Sequence, residues 1–317
     1  MNVIEVEHLH KAYRTGFRMR RFQAVKDLSL SVREGEIYGF IGPNGAGKTT
    51  TIKILMSLAY PTSGEIRIFG HPIQENRHQK DVGFLPERPY FYEYLTAAEF
   101  LDFYGRLFEM PSALRRERID ALLEQVSLTP HRNTQLRRFS KGMLQRVGVA
   151  QALINDPKLV VLDEPMSGLD PLGRMLIRDI IVDLKARGKT VFFSTHILSD
   201  VELICDRVGI IIGGVSKDEG TLDELMRHKT RRIELVIRPR EGDREGMIEV
   251  LEPMVSTLRT QGGQIIVEVA DASARRRVVE LVVERKGDIE SIVSRRDSLE
   301  ELFIDELNAV KKAGMLR

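Results

Sequence analysis

At 317 residues the chain has room for two domains, or for one large domain with an appendage, and its 42% hydrophobic and 30% charged residues are the balance of an ordinary soluble globular protein. A formal charge of +2 argues against the broad positive field of a nucleic-acid binder, and the single cysteine, Cys205, excludes an intramolecular disulfide and fits a reducing cytosol. No apolar run approaches the ~18–20 residues that cross a bilayer, and Met1-Asn2-Val3-Ile4-Glu5 lacks the apolar core of a signal peptide, so any membrane-spanning part is expected on another chain.

In chain order, residues 3–13 read as a strand ending at Tyr13, followed by a basic turn (Arg14, Arg18, Arg20, Arg21) and a second strand over 22–32. That turn reads as a solvated hairpin tip, with a phosphate or headgroup contact as the alternative. An apolar strand at 37–41 then runs into Gly42-Pro43-Asn44-Gly45-Ala46-Gly47-Lys48-Thr49-Thr50, and a helical pattern follows to Leu58. Strand, glycine-rich turn and helix start together form the context in which backbone N–H groups converge on a phosphate. Lys48 supplies a point charge for the β- and γ-phosphates of a nucleoside triphosphate, and Thr49 a hydroxyl for Mg²⁺.

Further strands are expected at 65–69 and 81–85, and helices over 96–126 with a break near Met110-Pro111, where Ser112 suits an N-cap. Eight aromatic residues crowd this region: Tyr90, Phe91, Tyr92, Tyr94, Phe100, Phe103, Tyr104 and Phe108. The last four, at helical spacing, read as core; the loop at 90–94 suits either self-packing or an anchor for a partner helix. A helix over 140–154 precedes the fully apolar strand at 159–162, which ends in Asp163-Glu164. A strand of this kind is buried on both faces and lies beside the phosphate-loop strand, bringing Asp163 within reach of Mg²⁺ and Glu164 within reach of an attacking water. A helix at 172–186, a strand at 190–194, a short helix at 197–204 and a Gly213-Gly214 hairpin complete an α/β pattern with a mainly parallel sheet. Cys205, at a helix end, reads as a small buried hydrophobe.

These motifs, in this order, resemble the nucleotide-binding subunit of an ATP-binding cassette (ABC) transporter over roughly residues 1–225. The resemblance implies that Tyr13 stacks on adenine, that Gly42–Thr50 holds the phosphates, and that Thr49, Asp163 and Glu87 attend Mg²⁺. It makes Glu164 the general base, with Lys48 and the switch residue His196 on the γ-phosphate. It also makes Ser140-Lys141-Gly142-Met143 a signature that completes the nucleotide site of a second copy, and Ser167-Gly168-Leu169-Asp170 a loop at the dimer interface. ATP and Mg²⁺ are the implied cofactors; the implied partners are a second cassette and an integral membrane subunit on the cytoplasmic face of the cell membrane, with no nucleic acid. Two departures stand out: Glu87 where the family usually has glutamine, and a signature carrying Lys141 and Met143 where glycine and glutamine are usual. The other histidines (His8, His10, His71, His78, His131 and His228) show no metal-ligand spacing.

The texture changes after the cassette, which is taken as residues 1–228 with a helical subdomain at about 88–156. Residues 229–317 read as a small accessory α/β domain: strands at 233–237, 265–269 and 289–293, and helices at 247–258, 272–285 and 298–310. Arg275-Arg276-Arg277 reads as a solvated helix face, and Ser298, Glu300 and Glu301 as a helix start. The extension resembles those of export-type cassettes. The expected function is therefore an ATPase subunit powering transport, in the export direction, through a separate membrane chain. The competing reading is a soluble regulatory, ribosome-associated or DNA-associated cassette.

Overall fold

The computed structural model describes residues 1–15, 20–227, 232–269, 271–295, 299–300, 303–304 and 307–308. The tip at 16–19 with Arg18, as well as His228, Ser298 and Glu301, lies outside the described residues. The chain divides into two compact units, one formed by Met1–Leu225 and one by Met226–Asp305.

The first unit begins with β1 (Asn2–Thr15) and β2 (Arg20–Arg33), a long antiparallel pair, then β3 (Ile37–Ile41) and α1 (Lys48–Leu55). The edge strands β4 (Ser63–Ile68) and β5 (His71–Pro72) follow, then β6 (Val82–Leu85). Three helices come next: α2 (Ala97–Leu107), α3 (Ser112–Gln125) and α4 (Lys141–Ala152). The chain then alternates through β7 (Leu159–Asp163), α5 (Pro171–Ala186), β8 (Thr190–Thr195) and α6 (Leu198–Ile204), and closes with the hairpin β9 (Arg207–Ile212) and β10 (Val215–Thr221) and α7 (Leu222–Arg227). All the strands join one ten-stranded sheet, in the order β5-β4-β1-β2-β10-β9-β3-β8-β7-β6.

The sheet is mixed along its width: β9-β3-β8-β7-β6 is parallel throughout, whereas β5-β4-β1-β2 is antiparallel. Every residue of β3, β7 and β8 is buried, as unbroken apolar runs covered on both faces require. The carboxyl ends of these three strands lie side by side, with Ile41 opposite Thr195 and Asp163 opposite Ser194. Ligands of open α/β sheets bind at such an edge.

Two helix boundaries differ from expectation. α3 starts with Ser112 as its first helical residue, and Pro111 is the cap; proline's fixed φ and missing N–H suit that point of entry. α1 stops at Leu55, and Ser57 turns the chain with φ +56°.

The second unit holds β11 (Arg232–Arg238), α8 (Arg244–Leu251), β12 (Thr257–Gln261), β13 (Gln264–Val269), α9 (Ala272–Glu284) and β14 (Asp288–Arg295). Its strands form an antiparallel sheet in the order β12-β13-β11-β14. Leu235, Ile265 and Val267 pack against Met247 and Leu251 of α8 and Val278 and Val282 of α9. The expected helix over 247–258 ends at Leu251, because Pro253 follows within a turn, and β12 takes its place. Gly262 and Gly263, with φ +57° and +87°, make the tight turn that returns β12 as β13.

Candidate functional site

The phosphate loop is shaped by its glycines. Gly45 and Gly47 take φ +79° and +111°, a region closed to most side chains. A Cβ on Gly47 would stand 2.6 Å from the Ala24 carbonyl oxygen, and one on Gly42 would collide with the backbone oxygen of Ile211. Gly47 caps α1 with no side-chain hydrogen bond, so the N–H groups of the first turn have no protein side chain capping them. Those N–H groups and the helix dipole make this end an anion site.

Around it the structure brings together most of the residues singled out in the sequence. Lys48, buried, donates from Nζ to the Gly42 carbonyl at 2.7 Å and lies 3.2 Å from Glu164 Oε1. His196 Nδ1 lies 2.9 Å from the other oxygen of the same carboxylate. Thr49 Oγ1 stands 3.4 Å from Asp163 Oδ1 and 3.5 Å from Glu87 Oε2. The Ser194 hydroxyl donates to Asp163 at 2.6 Å and accepts from the Glu164 N–H at 3.0 Å, so one side chain of β8 fixes both acids of β7. Glu164 itself holds φ +51°, a strained conformation for a residue with a Cβ. Burial raises the Asp163 pKa above the usual carboxylate value; hydrogen bonds from Ser194 and Thr49 oppose the rise, and the charges of Glu87 and Glu164 add to it.

Lys48, Thr49, Glu87, Glu164 and His196 line a cleft of about 380 Å³, together with the rest of residues 43–50, Ser167, Phe22 and Ala24. Tyr13 is not among the lining residues. It is half-buried, with Lys11 Nζ 4.8 Å from its ring centroid. The aromatic at the cleft is Phe22, 54% exposed, directly opposite Tyr13 in the β1–β2 register and hence on the same face of the sheet. Sequence reasoning missed Phe22 because that register depends on the turn between the strands, which the chain alone does not fix.

The signature residues lie elsewhere. Ser140 is exposed and caps α4, accepting from the Met143 N–H at 3.3 Å, and none of residues 140–143 lines the cleft. Gly168 takes φ +70°, and Asp170 caps α5 by accepting from the Gly173 N–H at 3.1 Å. The aromatic loop does two things at once. Phe91 packs on Phe100 (ring centroids 5.4 Å apart) and Tyr92 on Phe103 (5.3 Å), whereas Tyr90 and Tyr94 are 80% and 67% exposed. Of the four aromatics expected in the core, Phe100 is fully buried, but Phe103 and Phe108 are partly exposed. Cys205 is half-buried, and desolvation pushes its thiol pKa well up.

Residues 25–167 match the family model for ABC transporters, and residues 220–307 match the C-terminal domain of DrrA1-3-like ATP-binding proteins. An ABC transporter ATP-binding protein of Nostoc sp. (strain PCC 7120) is 44% identical over 312 residues, covering 96% of this chain and 90% of its own length. The chain belongs to the ATP-binding proteins of ABC transporters. Another member, the Nod factor export ATP-binding protein I of Cupriavidus pinatubonensis, is 41% identical over 204 residues, or 64% of this chain and 63% of that one. An ABC cassette solved as a dimer in a post-hydrolysis state with ADP and phosphate superposes with a TM-score of 0.63 at 27% identity, over 69% of this chain and 98% of that one. This ABC protein is accordingly an ATPase that binds and hydrolyses ATP to power transport. No helix among its described residues is long and apolar enough to cross a membrane.

Proposed function

We propose that this ABC ATPase works as a pair of cassettes closed over two Mg-ATP molecules, driving export through a separate membrane chain from the cytoplasmic face. The observation that carries the reading is a division of labour within one chain. Lys48, Thr49, Glu87, Glu164 and His196 line one cleft, with Asp163 next to Thr49, while the exposed start of α4, with Ser140, is not part of that lining. A second copy supplies the missing side of each site. Ser140, Lys141, Gly142 and Met143 then meet the partner's γ-phosphate, and Ser167–Asp170 lies along the interface.

Within the cleft, the loop amides and Lys48 hold the phosphates, Glu164 takes a proton from the attacking water, and His196 senses the γ-phosphate by hydrogen bonding. Tyr13 and Phe22 offer apolar faces to the base. The donor set suits Mg²⁺: a hydroxyl and two carboxylates, all hard oxygens, one of them an acid whose raised pKa a cation would relieve. Thr49 and Asp163 would hold it, with Glu87 beside them, and it would neutralise charge building on the phosphates. Export, rather than uptake, is supported by the export role named for the Cupriavidus relative.

For the membrane chain we assign the groove of about 510 Å³ lined by Phe84, Pro89, Tyr90, Tyr92, Tyr104 and Phe108 as the seat of an apolar helix end. The test of the paired reading is Glu164→Gln. With Mg-ATP it should form a stable dimer and lose hydrolysis by about a hundredfold or more, the scale of general-base loss. Monomer throughout, by light scattering, or undiminished turnover, would refute it.

A further inference from the structure

α4 does more than present Ser140. About one turn into the helix, the buried Gln145 donates from Nε2 to the carbonyl oxygen of Pro165 at 3.0 Å. Pro165 is the residue directly after Glu164, and a buried carbonyl deprived of its donor is costly. The same face of α4 has two more contacts with this loop. Lys141 lays its ammonium end over Gly168, where an added methyl group would collide with it, and a Cβ on Gly142 would lie 3.6 Å from Leu169 Cδ2. The loop between is short and internally tied: the Ser167 N–H donates to the Glu164 carbonyl at 3.1 Å, and Ser167 lines the cleft. At its start, Glu164 is held at φ +51° with its N–H on Ser194. A strained backbone persists only where its surroundings over-determine it. Gln145 is the one helical side chain that grips this turn from the α4 side through a buried hydrogen bond among the described residues.

We propose that Gln145 is a positioning residue for hydrolysis: through Pro165 it ties the orientation of α4 to the placement of Glu164 and Ser167. It deepens the paired reading above and rests on it. Contact of Ser140 with a second copy's nucleotide shifts or steadies α4, and Gln145 passes that change to Glu164 of the same chain. Each site thereby responds to occupancy of the other, so hydrolysis depends cooperatively on ATP. Coupling of this kind needs a continuous packed path, and the three contacts of α4 with residues 165–169 provide one.

The experiment compares Gln145→Met, close in size but without an N–H, and Gln145→Glu, which keeps the shape and replaces the donor with an acceptor. Steady-state ATPase, binding of a fluorescent ATP analogue to the isolated protein, and dimer formation in a Glu164→Gln background are measured for each. Both variants should bind the analogue like the parent and still dimerise on the Glu164→Gln background, with kcat about tenfold lower and a Hill coefficient for ATP close to one. A folded variant with parental kcat and Hill coefficient would overturn the proposal. So would nucleotide binding falling in step with kcat in both variants, since that marks a merely structural side chain. If the parent itself neither dimerises as Glu164→Gln nor shows cooperativity, the paired reading fails first, and the role of Gln145 falls with it.

Discussion

Asp163 shows what this site costs the fold at the level of one residue. Its carboxyl is raised above the usual range chiefly by burial, although Ser194 and Thr49 donate to it. A carboxyl raised in the folded state contributes stability that is fully present below its unfolded pKa and is lost as pH rises through the folded value. At neutral pH, ionised Asp163 therefore opposes folding, and the charges of Glu87 and Glu164 add to that opposition. Asp163→Asn removes the charge and keeps an oxygen that can accept from Ser194. In nucleotide-free buffer the variant should melt higher than the parent, while its Mg²⁺-dependent ATPase falls by about a hundredfold, the scale of one lost electrostatic group in an active site. A lower melting point, or the parental rate at the same Mg²⁺, would count against both the burial argument and the assignment of Asp163 to the metal.

Among the elements, α2 carries the most explicit local signal. Thr96 caps it by accepting from the Glu99 N–H at 3.3 Å, while the Glu99 carboxylate accepts from the Thr96 N–H at 2.8 Å, a complete capping box. The Thr96 backbone bond, followed by its hydroxyl, holds the Glu99 pKa below the usual value. Thr96→Ala should cost about 1 kcal/mol in urea unfolding at neutral pH. Because a depressed carboxylate contributes stability above its unfolded pKa and loses it as pH falls through the folded one, the gap between parent and variant should narrow below about pH 4. A gap that stays constant with pH would show that the carboxylate plays no part. What could be read from the chain follows the same divide between local and distant. The phosphate loop, the Asp163-Glu164 strand end and the Ser140 cap are written in consecutive residues, where glycine freedom, apolar runs and capping chemistry act locally. The cleft aromatic Phe22 is not: its place depends on the register of β1 against β2, which a neighbouring turn sets. The contact of Gln145 with Pro165 is of that second kind, since nothing in either segment names the other.

Across the molecule, the groove of about 510 Å³ is a feature that ATP chemistry leaves unused. Exposed aromatics are costly on a surface that never meets a partner, and Tyr90 and Tyr94 are exposed while their neighbour Phe91 packs on the buried Phe100. The groove runs beside β6, whose end leads within two residues to Glu87 at the cleft, so a partner seated there would press on a segment in contact with Thr49. Tyr90→Ala together with Tyr94→Ala removes exposed rings and disturbs none of the cleft residues. Basal ATPase of the isolated protein should stay within about twofold of the parent, as expected for surface substitutions away from the site. Recovery of the membrane chain on affinity-tagged protein extracted from detergent-solubilised membranes should fall at least about tenfold, the loss expected when central aromatic anchors are truncated. Equal recovery of that chain by parent and variant would show that the groove is not where it docks.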